Sequence, residues 1–108
     1  MEQLKRELWE RYISTYNECK KFNYIPRAFL DMVVSNDDIV EVTRRLIHKK
    51  GGTDGFATLC LNDKMELSVE NIILEPRYRV LFNRDDLLAA YNRLKEYGYK
   101  RLNEIQKP

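Results

Sequence analysis

The sequence predicts a single all-α domain over residues 1–108, with five or six helices packed around one long N-terminal helix. Three observations carry that expectation. An amphipathic stretch opens the chain, three helix starts share one capping design, and glycines stand where two helices should stop. The alternative is an α+β domain with a small meander at about 57–82, where short apolar runs also alternate with polar residues.

Residues 2–22 form the first element. At 100° per residue, Leu4, Leu8, Tyr12, Tyr16, Cys19 and Phe22 fall on one side, Trp9 and Ile13 widen it, and most charges take the other side. Pro26 limits this helix, because proline disfavours a helical residue before it. Arg27–Val33 then predicts a short helix with Pro26 in its first turn.

The repeated helix start comes next. Ser35 caps with Asp38 three residues on and Val34 stapling Ile39; Ser68 caps with Glu70 near the positive end and Leu67 stapling Ile72. Asn83 caps with Asp86 at the third helical position and Phe82 stapling Leu87. Each cap satisfies an orphan backbone N–H, and each staple fixes the angle of chain entry. The stops agree. Gly51 ends the helix begun at Ser35, where Lys49 and Lys50 complement its negative end. Gly98 ends the last one, with Tyr99 folding back on Leu94. The contested stretch is "ATLCLNDKMELSVE". Its "NDK" lacks the glycine a tight hairpin wants, so helix is the preferred reading.

Composition bounds the function. At 108 residues, 44% hydrophobic and 33% charged, the chain matches an ordinary globular domain, too apolar for disorder. No apolar run approaches the roughly 18 residues of a membrane span. The N-terminus mixes charges into its apolar residues, unlike a secretory leader, so a cytoplasmic location is expected. Cys19 and Cys60 read as free thiols among apolar neighbours. One histidine and no Cys-x-x-Cys argue against a structural zinc site, and no cofactor is expected.

Individual motifs point away from chemistry. "KKGGTDGF" at 49–56 resembles a phosphate loop only in its glycines. A helix precedes it and presents carbonyls, and Thr53 or Asp54 caps the helix that follows. It reads as a helix–turn–helix junction. His48 points nearly opposite the face set by Ile39, Val42, Thr43, Leu46 and Ile47, among Glu41, Arg44, Arg45 and Lys49, and reads as part of a solvated face. Asp37–Asp38 and Asp85–Asp86 sit in first turns of helices, where capping and the helix dipole account for them.

Two surfaces remain as candidates. The apolar arc of the first helix spans nearly 180°, more than the stripe of a little over 100° that one-sided packing needs. Trp9, Ile13 and Tyr16 form its outer edge and are the expected contact for another protein or a second copy of the chain. The alternative is nucleic acid. Residues 51–76 carry one lysine against five acids, and residues 77–108 carry eight basic groups against four acidic. In that basic third, Arg77, Arg79, Arg93, Lys100 and Arg101 interleave with Tyr78, Tyr97 and Tyr99, a mixture suited to phosphate contact and base stacking. The sequence therefore favours a non-catalytic protein-interaction or regulatory domain, with a nucleic-acid-associated accessory protein as the alternative.

Overall fold

The structure, a computed structural model, describes residues 1–22, 24 and 38–108. Five α-helices form among them: α1 (Glu2–Lys20), α2 (Ile39–Ile47), α3 (Asp54–Leu61), α4 (Val69–Ile73) and α5 (Arg84–Glu96). Single 3-10 turns lie at Met65–Leu67, Arg79–Leu81 and Leu102–Glu104. No strand occurs among the described residues, so the all-α expectation holds and the 57–82 meander is absent. The helix expected at Arg27–Val33, the Ser35 cap and its Val34 staple fall outside the described residues.

Capping chemistry sets most of the boundaries. Thr53 accepts from the Phe56 N–H and starts α3. Ser68 accepts from the Asn71 N–H and starts α4. Asn83 and Asp86 exchange both bonds of a capping box at α5. At α2 a tertiary contact joins the cap. The N-cap of α2 is Asp38, whose carboxylate accepts from the Val40 N–H at 2.8 Å while Lys5 of α1 holds its other oxygen. The Asp38 cap thus ties the start of α2 to Lys5 of α1.

The ends follow the same logic. At α5 the Tyr99 N–H reaches the Leu94 carbonyl, the Gly98 N–H reaches that of Lys95, and Gly98 takes φ +72°. This is the Schellman closure the glycine predicts. At α3 the same pair of bonds runs from Lys64 to Leu59 and from Asp63 to Cys60, with Asp63 at φ +57° in the left-handed position. "NDK" therefore closes a helix without glycine, because the short polar side chain of Asp tolerates αL.

The core is one cluster. Leu8 and Tyr12 of α1, Ile47 of α2, Phe56 of α3, Ile72 and Ile73 of α4, and Leu87, Ala90 and Leu94 of α5 all contribute. Although α4 has only five residues, Ile72 and Ile73 are fully buried; each such side chain contributes about 1.5–3 kcal/mol. Phe82 and Leu87, the expected staple pair, both join this cluster. The buried face of α1 is Leu8, Tyr12, Thr15 and Cys19. Thr15 joins that face, its hydroxyl donating to the Arg11 carbonyl and accepting from the Arg11 guanidinium.

Candidate functional site

The three residues of the α1 edge meet different surroundings. Trp9 is 43% exposed, one of few large apolar side chains left open among the described residues. It lines a shallow groove with Glu2, Gln3, Lys5, Arg6, Glu10, Asp38 and Ile39. Ile13 and Tyr16 are half-buried. Tyr16 belongs to a second concavity, a cleft of about 340 Å³ near the C-terminal end of α1. Tyr12, Cys19, Phe56, Leu59, Val69 and Ile72 give that cleft its apolar lining. The helix therefore carries two separate features: an aromatic anchor in a mixed-charge groove near its start, and a cleft near its end.

The basic third is more engaged than its sequence suggests. Arg93 is a buried clamp with a side chain only 12% exposed. Its guanidinium donates to the Glu70 carboxylate at 2.9 Å, to the Lys49 carbonyl at 2.7 Å and to the Leu46 carbonyl at 3.4 Å. It thereby fills the open C-terminal carbonyls of α2. The junction "KKGG", with Gly51 and Gly52 at φ +80° and +82°, holds a cation on its carbonyls rather than an anion on N–H groups. Arg79 donates to the Leu74 and Gln106 carbonyls. Arg77 pairs with Glu7, Lys100 with Asp63, and Arg101 with Glu104. Tyr97 packs edge-on against Phe56, with centroids 5.1 Å apart, and its hydroxyl reaches the Gly51 carbonyl. The five cations and Tyr97 thus all have partners within the molecule, and Tyr78 and Tyr99 are buried. Arg77, Lys100 and Arg101 remain exposed, in surface pairs that bind weakly.

Glu70 is 2% exposed. Burial pushes its carboxyl above the ordinary range, and the hydrogen bond from Arg93 pulls it back only in part. Sequence reading missed this pair. The available signal was Glu70 itself, three and four residues before Ile73 and Leu74 on one helical face.

A second cluster joins α2 to α5. His48 Nε2 lies 2.7 Å from Asp86 Oδ1, and Arg44 Nε donates to the same oxygen at 3.1 Å. Asp86 is 1% exposed, whereas His48 is 44% exposed. Burial works to raise the Asp86 carboxyl, but hydrogen bonds from His48, the Asn83 N–H and Arg44 outweigh it and hold the group below its ordinary value. His48 faces solvent as expected. It also has a specific buried carboxylate, which capping alone did not predict for Asp86.

Cys19 and Cys60 are free thiols, and burial raises both above the ordinary cysteine value. That makes them poor nucleophiles. Among the described residues, no group of three His, Cys, Asp or Glu side chains is placed to hold a metal, and no helix is long and apolar enough to cross a membrane. No family model, curated protein or solved structure matches the chain.

Proposed function

We propose that the protein is a small non-catalytic interaction domain that docks another protein through the groove around Trp9. The observation that supports this is the only tryptophan of the chain, held 43% exposed on a helix whose other face is core. Tryptophan in a partly formed pocket is the residue type most enriched among interface anchors. Its rim is suited to a polar surround, since exposed Arg6 and Glu10 flank it with both signs of charge. The internal engagement of Arg79 and Arg93 weighs against the nucleic-acid alternative, because those two cations are committed to the fold.

The test is affinity capture from source cells with wild-type protein and Trp9→Ala, each with and without nuclease. A protein partner that survives nuclease and is lost with Trp9→Ala, at unchanged thermal midpoint, supports the reading. Capture that nuclease abolishes and Trp9→Ala leaves intact overturns it in favour of nucleic acid.

A further inference from the structure

The cleft near the end of α1 and the junction "KKGGTDGF" meet in one place. Lys49 and Asp54, on either side of the two adjacent glycines, both line the cleft and both are exposed. They carry opposite charges, yet among the described residues neither side chain joins an ion pair, with the other or with a third group. Arg45 of α2, also exposed, lines the same cleft. Glu70 reaches it as well, but its carboxylate is already held by Arg93 at 2.9 Å. The remaining lining is mostly apolar, and Phe56, Leu59 and Ile72 within it are buried. Charges of both signs therefore stand at the solvent side of an apolar cleft.

A ligand for this cleft needs an apolar body and both charges at one end. At about 340 Å³ the space lies near the lower end of ligand pockets, about 300–1,000 Å³, so the body is one ring or a short branched chain. From this arrangement we infer that the cleft binds an α-amino acid with a large apolar side chain. The side chain covers Phe56, Leu59, Val69 and Ile72 and removes their surface from water. The α-carboxylate faces Lys49, with Arg45 adding positive charge, and the α-ammonium faces Asp54. A simple organic anion of the same size would meet Asp54 without a counter-charge, and a simple amine would meet Lys49 and Arg45. The site thus selects the zwitterion by what it leaves unpaired in the alternatives.

Three ligands that share a phenyl ring separate these cases. The experiment titrates the full, nitrogen-15-labelled chain with L-phenylalanine, 3-phenylpropionate and phenethylamine, following amide shifts by NMR. The expected result is saturable shifts at Tyr16, Leu59 and Val69, with phenylalanine binding more tightly than either singly charged analogue. Lys49→Gln should weaken phenylalanine about fivefold or more, the upper range for one exposed ion pair, without weakening phenethylamine. Asp54→Asn should weaken phenylalanine similarly without weakening phenylpropionate. Both side chains are exposed and Thr53 caps α3, so neither change removes a contact of the fold. If a variant nonetheless unfolds, the order of the three ligands on the wild-type chain still decides. Phenylpropionate or phenethylamine binding as tightly as phenylalanine overturns the inference. So does the absence of saturable shifts at the cleft up to the solubility of phenylalanine, or shifts confined to the groove around Trp9.

Discussion

Removing the Arg93 guanidinium should damage this fold more than removing any other cation of the basic C-terminal third. Arg93→Ala leaves Glu70, 2% exposed, without its counter-charge and strips the donor from the Lys49 and Leu46 carbonyls at the end of α2. Breaking a buried pair from one side costs about 3–5 kcal/mol, because the remaining charge keeps its desolvation penalty. With an unfolding entropy of roughly 2.1 cal/mol/K per residue, a chain of 108 residues should then melt about 13–22 °C lower. Urea titration and circular dichroism at pH 7.5 measure this. The pH dependence gives an independent check. The folded-state value of Glu70 is raised, so its contribution is full below the ordinary carboxylate value of 4.5 and is lost as pH rises through the folded value. Without Arg93 that value rises further, so the deficit of Arg93→Ala should be larger at pH 8 than at pH 5. Glu70→Gln in the Arg93→Ala background should recover part of the loss. A deficit below about 1 kcal/mol, the surface-pair range, would refute the clamp. So would strict additivity of the Glu70 and Arg93 substitutions.

The remaining predictions concern the acid limb, a cap, a stop and a surface pair. Asp86 has the opposite sign to Glu70: its lowered value contributes stability above pH 3.8 that is lost as pH falls through the folded value, so Asp86→Asn should flatten the acid limb of the unfolding curve. Ser68→Ala removes the α4 cap and a bond to the Met65 carbonyl, and should cost about 1–2 kcal/mol in urea titration. Gly98→Ala places a side chain at φ +72° with no neighbour to meet, so pure backbone strain of about 1–2 kcal/mol is expected. Lys100→Ala should leave the midpoint where it is, since both partners of its pair with Asp63 are exposed.

What the sequence made legible was local. Ser68, Thr53, Asn83 and Gly98 act within four residues of themselves, and each does in the structure what its chemistry suggests in isolation. Asp38 shows where that logic stops. Its carboxylate caps α2 and also meets Lys5 of α1, a contact 33 residues away in the chain. The same limit hid the two polar clusters. Glu70 and Arg93 are 23 residues apart in the chain, and His48 and Asp86 are 38 apart, so only the packing of α2, α4 and α5 brings them together. The basic C-terminal third misled for a related reason. A count of arginines does not show which face carbonyls and buried carboxylates of their own fold. Trp9 was legible as an outlier because an apolar arc of nearly 180° exceeds what one packed face needs.

As the only tryptophan, Trp9 reports on its own groove without a label. The decisive measurement is its fluorescence emission and acrylamide quenching in the isolated protein and again with the nuclease-resistant partner bound. The account predicts ready quenching in the free protein, then a blue shift and loss of quenching on binding, with both changes saturating at one partner per chain. Emission and quenching that stay the same in the bound state would contradict docking through this groove.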